Sequence, residues 1–280
     1  MITTLLSVVL TVWTPPANDP AHIAYLQNHI DSPQTLAMFE ASNALTSCVV
    51  AGLGSVYHDG SFLAGCGMGI VGGSIAFGAK FIASKDQLTP GLGAVSRFVG
   101  YVGNSITYAG VHNTPFDSVY FDVGPVGFTL SRHSHLSFTL TPIVAMAEFL
   151  HNGDRFDWRR SLYDLTPTFV DRSLNDNYGG QTLGNVVEYR NTYSQSKASG
   201  WYEPNLPVSV NQQHLYLEHE SVHVVQWSDF AAFNLFIGPY NFGQDGAYTI
   251  YGLMNLSSST YYYHPSEVEA YGLVARGNGK

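Results

Sequence analysis

Leu217-Glu218-His219-Glu220-Ser221-Val222-His223-Val224-Val225-Gln226-Trp227 is the stretch from which the fold is read. Residues four apart on a helix lie one above the other on the same face, so a helix here aligns His219 with His223. Two imidazoles at that spacing can bind one zinc ion through their ring nitrogens, at about 2.0–2.1 Å each. Glu220 then sits beside the metal, where a carboxylate can take a proton from a zinc-activated water and later return it. The surrounding pattern supports a helix from Gln212 to about Trp227, with Leu215, Val222 and Val225 near one face. His214 lies five residues before His219 and points elsewhere on such a helix.

Zinc needs a third protein ligand, and His264-Pro265-Ser266-Glu267-Val268-Glu269-Ala270-Tyr271 is the place to find it. Pro265 in a first turn, with Ser266 beside it, predicts a short helix from Pro265 to about Val274. By residue type, Glu267, Glu269 and His264 can each bind the metal. HExxH followed by a helix carrying E-x-x-A-(D/Y) resembles the gluzincin group of zinc metallopeptidases. That resemblance implies Glu267 as the ligand. Tyr271 stands where many members carry an Asp that supports a ligand histidine, a departure that affects the support of the site and not the ligand. The longer string H-E-x-x-H-x-x-Q-W, with Leu183 to Val187 before it and Gly238 to Tyr240 after it, resembles predicted metallopeptidase-like proteins of bacteria. Some of those are joined to toxin or surface-repeat systems. The implied function is hydrolysis of peptide bonds, with one Zn2+ per chain held by His219, His223 and Glu267. Glu220 is the catalytic residue and a protein or peptide the substrate.

Two plainer readings stand beside this one. HExxH can occur by accident on a buried amphipathic helix, and a zinc site closed by a fourth protein ligand is structural. The rival from another class is a membrane-associated or toxin-delivery module with a structural, non-catalytic zinc site. His133 and His135 alternate on a predicted strand or turn and read as surface residues. Arg159 and Arg160 belong to a solvated charged patch, and Tyr261 to Tyr263 read as packing residues.

Outward from the motif, the middle of the chain holds short β-rich runs: Ser118–Val123, Val126–Leu130, Leu136–Thr141, Ile143–Leu150, Leu162–Val170 and Leu183–Tyr189. Turn residues such as Gly124-Pro125 and Asn152-Gly153-Asp154 separate them, which predicts a central antiparallel sheet. The last of these strands is expected to lie beside the cleft and to pair with an extended substrate. Towards the N-terminus the texture is different. Gly60 to Ala79 runs for 20 residues without a charge, and Gly65, Gly69 and Gly73 recur at spacing four. Such a glycine face allows close helix–helix approach, in a membrane or in a tight soluble hairpin. The hairpin is expected, with membrane contact through residues 60–83 as the alternative. The resulting expectation is an α+β chain. Residues 1–112 form a helical Gly-rich region, and residues 113–280 a sheet with a C-terminal zincin-like metal site.

The chain has 280 residues, a net charge of −9 and only 12% charged residues. Its few cations are scattered, so it carries no electrostatic footprint for nucleic acid. Cys48 and Cys66 fit neither a zinc ribbon nor a CxxC redox pair. They can pair or stay as buried thiols, and buried thiols are expected. The apolar run from Leu5 to Trp13 lacks the basic residues and cleavage site of a secretory signal, and reads as an uncleaved segment. A secreted or membrane-associated location is slightly favoured.

Overall fold

The computed structural model describes residues 33–85, 91–131, 134–171, 180–190, 211–253 and 265–275. The fold is α+β. Three long helices open it: α1 (Pro33–Tyr57), α2 (Phe62–Ala83) and α3 (Leu92–Val111). The glycines of α2 explain how closely these pack. A Cβ on Gly73 would come within 2.6 Å of the Asn43 carbonyl oxygen on α1, and Gly65 and Gly69 press in the same way on the Ala51 and Ser47 carbonyls. Gly103 of α3 meets the Gly72 carbonyl of α2 just as tightly. The expected hairpin is therefore present. Both α1 and α2 are also long and apolar enough to cross a membrane, by length and composition.

Cys48 on α1 and Cys66 on α2 form a disulfide, which corrects the expectation of two free thiols. The helices approach so closely at their glycine face that the two sulfurs meet across it. With the cysteines 18 positions apart, the bridge restricts the unfolded chain by about 3 kcal/mol. Denaturant unfolding of the paired Cys48→Ser and Cys66→Ser protein is expected to show a loss of that size. A loss below about 0.5 kcal/mol would mean that helix packing alone holds the hairpin.

The β-rich middle forms two mixed sheets, not one antiparallel sheet. The first contains β1 (Val119–Val123), β2 (Val126–Leu130), β3 (His135–Phe138), β9 (Tyr240–Asn241) and β8 (Phe236–Ile237), in that order. Its β3–β9 pairing is parallel. The second sheet has the order β4 (Arg155–Phe156), β5 (Thr168–Asp171), β7 (Val186–Arg190) and β6 (Gly180–Leu183), with β5 and β7 parallel. Strands distant in sequence join each sheet, and short-range turn signals do not encode such pairings.

Three predicted strands are also corrected. Ile143–Leu150 lies inside a helix, α4 (Leu140–His151). Asp245, far along the chain, accepts hydrogen bonds from the Leu140 and Thr141 backbone N–H groups at 2.6 and 3.1 Å, satisfying the open first turn. Leu162–Val170 divides into helix α5 (Trp158–Asp164), a left-handed Leu165 that ends it, and β5. The Asp157 side chain caps α5 by accepting from the Arg160 N–H at 3.0 Å. Leu183–Tyr189 is a hairpin, in which Gly184 takes a positive φ of 64° at the turn from β6 to β7.

The motif helix, α6 (Asn211–Asp229), runs between the second sheet and the helical bundle. Val222 and Val225 enter a core with Phe39, Phe77, Leu273 and Val274, while Val224 enters another with Val170, Val187 and Tyr189. A helix buried on both sides needs apolar residues on both, and the run Val222, Val224, Val225 supplies them. A turn of 3-10 helix (Phe230–Phe233) follows, then β8, β9 and α7 (Phe242–Leu253). Helix α8 (Pro265–Ala275), close to the predicted bounds, completes the described chain. The first core joins residues from both sides of position 112. The predicted Leu5–Trp13 segment lies outside the described residues.

Candidate metal site

The helix forms where the sequence predicts it, and it brings His219 and His223 together. Their Nε2 atoms are 2.9 Å apart, with the rings edge to face. Two imidazole nitrogens bound to one tetrahedral zinc at ~2.0–2.1 Å stand about 3.3 Å apart. The separation is that of an N–H···N hydrogen bond between the two rings, and the pair would have to open by a few tenths of an ångström to share an ion. His219 is 3% exposed and Glu220 5%.

Glu220 faces the second sheet. Thr182 on β6 donates its hydroxyl hydrogen to Glu220 Oε2 at 2.6 Å. Gly180, first in the same strand, leaves the room that the carboxylate fills, since a Cβ there would lie 2.9 Å from Glu220 Cγ and 3.0 Å from Oε1. In the second sheet β6 is an edge strand, paired only with β7 among the described residues. Both β6 and β7 lie against the motif helix, but β7 is enclosed between β5 and β6, so among the described strands only β6 offers an edge there.

On its far side the His223 ring is held by Gln226, with Nδ1 and Oε1 2.6 Å apart. The Gln226 amide donates to the Ser266 carbonyl at 3.0 Å and to Glu269 Oε2 at 2.9 Å. Glu269, one of the three candidate ligands, has both oxygens engaged on this side. Asn43 donates to Oε1 at 2.5 Å, and Lys80 pairs with Oε2 at 3.2 Å. Lys80 also reaches Asp229 at 2.6 Å and donates to Asn43 Oδ1 at 2.6 Å. Burial lowers the Lys80 pKa, but Asp229 and Glu269 outweigh it and hold the ammonium above the usual lysine value. Among the described residues, no third His, Cys, Asp or Glu joins His219 and His223 in a metal-binding group. Position 267 is on the first turns of α8, but its side chain lies outside the described residues, as does His264.

A cavity of about 420 Å³ opens on the Gln226 side of α6, with Lys80, Asp229, Tyr251 and Glu269 among its walls. Neither motif histidine lines it. Sequence reasoning missed Gln226, Lys80, Thr182 and Gly180. Two signals were available: Gln226 stands one turn after His223, and Lys80 is a lone cation within an apolar helix, a position that requires buried partners. Nothing local marks Thr182 or Gly180. Comparison with protein-family models, curated proteins and solved structures finds no match.

Proposed function

We propose that this chain is a zinc-dependent metallopeptidase of gluzincin type. His219, His223 and Glu267 would hold the ion, and Glu220 would act as the base. The observation that carries the reading is the convergence of the two Nε2 atoms at 2.9 Å, with the Nδ1 of His223 already bonded to Gln226. Zinc, when bound there, supplies a Lewis acid that activates water and polarises a carbonyl. Glu220 receives the proton from the attacking water and returns it to the leaving amine, in an orientation set by the Thr182 hydroxyl. The side of β6 that no described strand occupies can pair with an extended peptide, main chain to main chain, and bring its scissile bond alongside Glu220. The Cys48–Cys66 disulfide favours an oxidising compartment, and so a secreted or membrane-facing enzyme.

Elemental analysis of the purified protein tests the metal. About one zinc per chain is expected, lost in His219→Ala and in His223→Ala and kept in Glu220→Gln. No zinc in the wild-type protein after zinc is supplied would reduce the motif to a core helix.

A second reading has its own observation. The outward faces of α1 and α2 carry Leu45, Leu53, Leu63 and Val71 in the open, on the two helices that could span a bilayer. A membrane-associated or toxin-delivery module with a closed structural zinc site would use that surface. It predicts co-flotation with lipid vesicles. It also predicts a cobalt-substituted spectrum that added hydroxamate does not alter, because a closed site has no position for it.

A further inference from the structure

We infer that Gln226 is a positioning residue for the metal site. It fixes which nitrogen of His223 carries hydrogen, and it is itself held by α8 and the glycine hairpin. This inference rests on the zinc reading above only for its consequence, not for its geometry.

The Ser266 backbone carbonyl can only accept a hydrogen bond, and it lies 3.0 Å from Gln226 Nε2. The Glu269 carboxylate, 2.9 Å from the same nitrogen, also accepts. Together they take both amide hydrogens, which fixes the orientation of the Gln226 amide. Its oxygen must then face His223 Nδ1, as the 2.6 Å separation has it. An oxygen can only accept there, so Nδ1 carries the hydrogen; in the neutral ring Nε2 then presents a lone pair, at hydrogen-bond distance (2.9 Å) from His219 Nε2. The Nε2–lone-pair form is the one that binds a metal through Nε2.

Glu269 is held in turn from the hairpin. Asn43 of α1 donates to its Oε1, and Lys80 of α2 neutralises its charge and donates to Asn43 Oδ1. The hydrogen bonds converge on Glu269 from two sides: His223 Nδ1–H donates to Gln226 and Gln226 donates to Glu269, while Asn43 and Lys80 meet the same carboxylate from the hairpin. The glycine hairpin does more than fill space: it sets the protonation geometry of an imidazole on another helix. Glu269, one of the alternatives for a direct ligand, acts here through Gln226.

The test is the tautomer of His223 in the metal-free full chain, read from imidazole 15N chemical shifts and two-bond couplings at mildly alkaline pH. The signal is assigned by its loss in His223→Gln. The expected wild-type result is hydrogen on Nδ1; hydrogen on Nε2 in the wild-type protein overturns the inference, whatever any variant does. In Gln226→Met, which keeps the volume and removes the acceptor, the Nδ1–H preference is expected to be lost. Zinc affinity, measured by chelator competition, is expected to fall about 10–100-fold. An unchanged tautomer and affinity in folded Gln226→Met also overturn it. If the wild-type protein holds the Nδ1–H form but takes up no zinc, the positioning stands and the metallopeptidase reading fails.

Discussion

Asp122→Ala is expected to cost about 3–5 kcal/mol, the cost of stripping one partner from a buried ion pair. That is a large part of the roughly 5–15 kcal/mol that separates folded from unfolded states in a domain. Asp122 is on β1 and 1% exposed. Its Oδ1 accepts from Arg97 Nη2 at 2.8 Å, from the Tyr101 hydroxyl at 2.6 Å and from the Asn185 amide. Its Oδ2 accepts from Trp227 Nε1 at 3.0 Å and from the Gln244 amide at 3.4 Å. Five elements of the fold meet on this carboxylate: α3, β1, the β6–β7 turn, α6 and α7. Alanine leaves the Arg97 guanidinium buried without its counter-charge and four further donors without this carboxylate. The loss is read from urea unfolding midpoints. Asp122→Leu combined with Arg97→Met removes both charges, so it is expected to be less destabilising than either change alone. A loss below about 1 kcal/mol in Asp122→Ala, against the range for a broken buried pair, would mean that the five elements are held together by apolar packing instead.

The same carboxylate shows why parts of the fold escape a reading of the sequence. Asp122 is an unremarkable residue in a short strand, and its partners lie up to 122 positions away. The motif helix is legible because its information is local: two histidines one turn apart, valines on both sides and a polar stretch of sequence before it. Helix α8 announces itself through Pro265, and the α1–α2 hairpin through glycines at spacing four. By contrast, Ile143–Leu150 opens with β-branched Ile143 and Val144 but continues through Ala145, Met146, Ala147, Glu148 and Leu150, all good helix formers, so its helix is partly legible in composition; what the sequence does not show is the closure of its first turn by Asp245, 105 residues from Leu140. The cysteine pairing depends on how closely two helices approach, and nothing in the spacing of Cys48 and Cys66 states that distance. At the site the division is the same. His219, Glu220 and His223 are proposed from the string alone. Gln226 is part of the longer string and stands one turn after His223, but the string alone assigns it no role. The Thr182 hydroxyl and the space at Gly180 come from the neighbouring sheet.

Those two neighbours give the sharpest test of Glu220 as the base. Glu220→Gln keeps the shape of the side chain and the contact with Thr182 but cannot accept a proton, so peptide hydrolysis is expected to fall by about 10²–10⁴ with zinc retained. Gly180→Ala changes no titratable group. Its Cβ would sit 2.9 Å from Glu220 Cγ and 3.0 Å from Oε1, closer than ordinary van der Waals contact, and the carboxylate has to move or the strand has to yield. A displacement near 1 Å of a reacting group costs on the order of 10²-fold in rate. Gly180→Ala is therefore expected to lower kcat by about 10–100-fold with zinc content unchanged. Thr182→Val, which removes the hydroxyl donor and keeps the volume, is expected to lower kcat less, because one hydrogen bond to a charged group contributes about 1.5–3 kcal/mol. The measurement is steady-state cleavage of an unstructured protein substrate by the zinc-loaded enzyme, with zinc counted in each variant. Full activity in Gly180→Ala would mean that the carboxylate works from a position away from β6, and the pairing of substrate with that edge would fall with it. Loss in Glu220→Gln and Gly180→Ala together, at constant zinc, would tie the proton transfer to a glutamate held at the sheet edge, where an extended peptide can reach it.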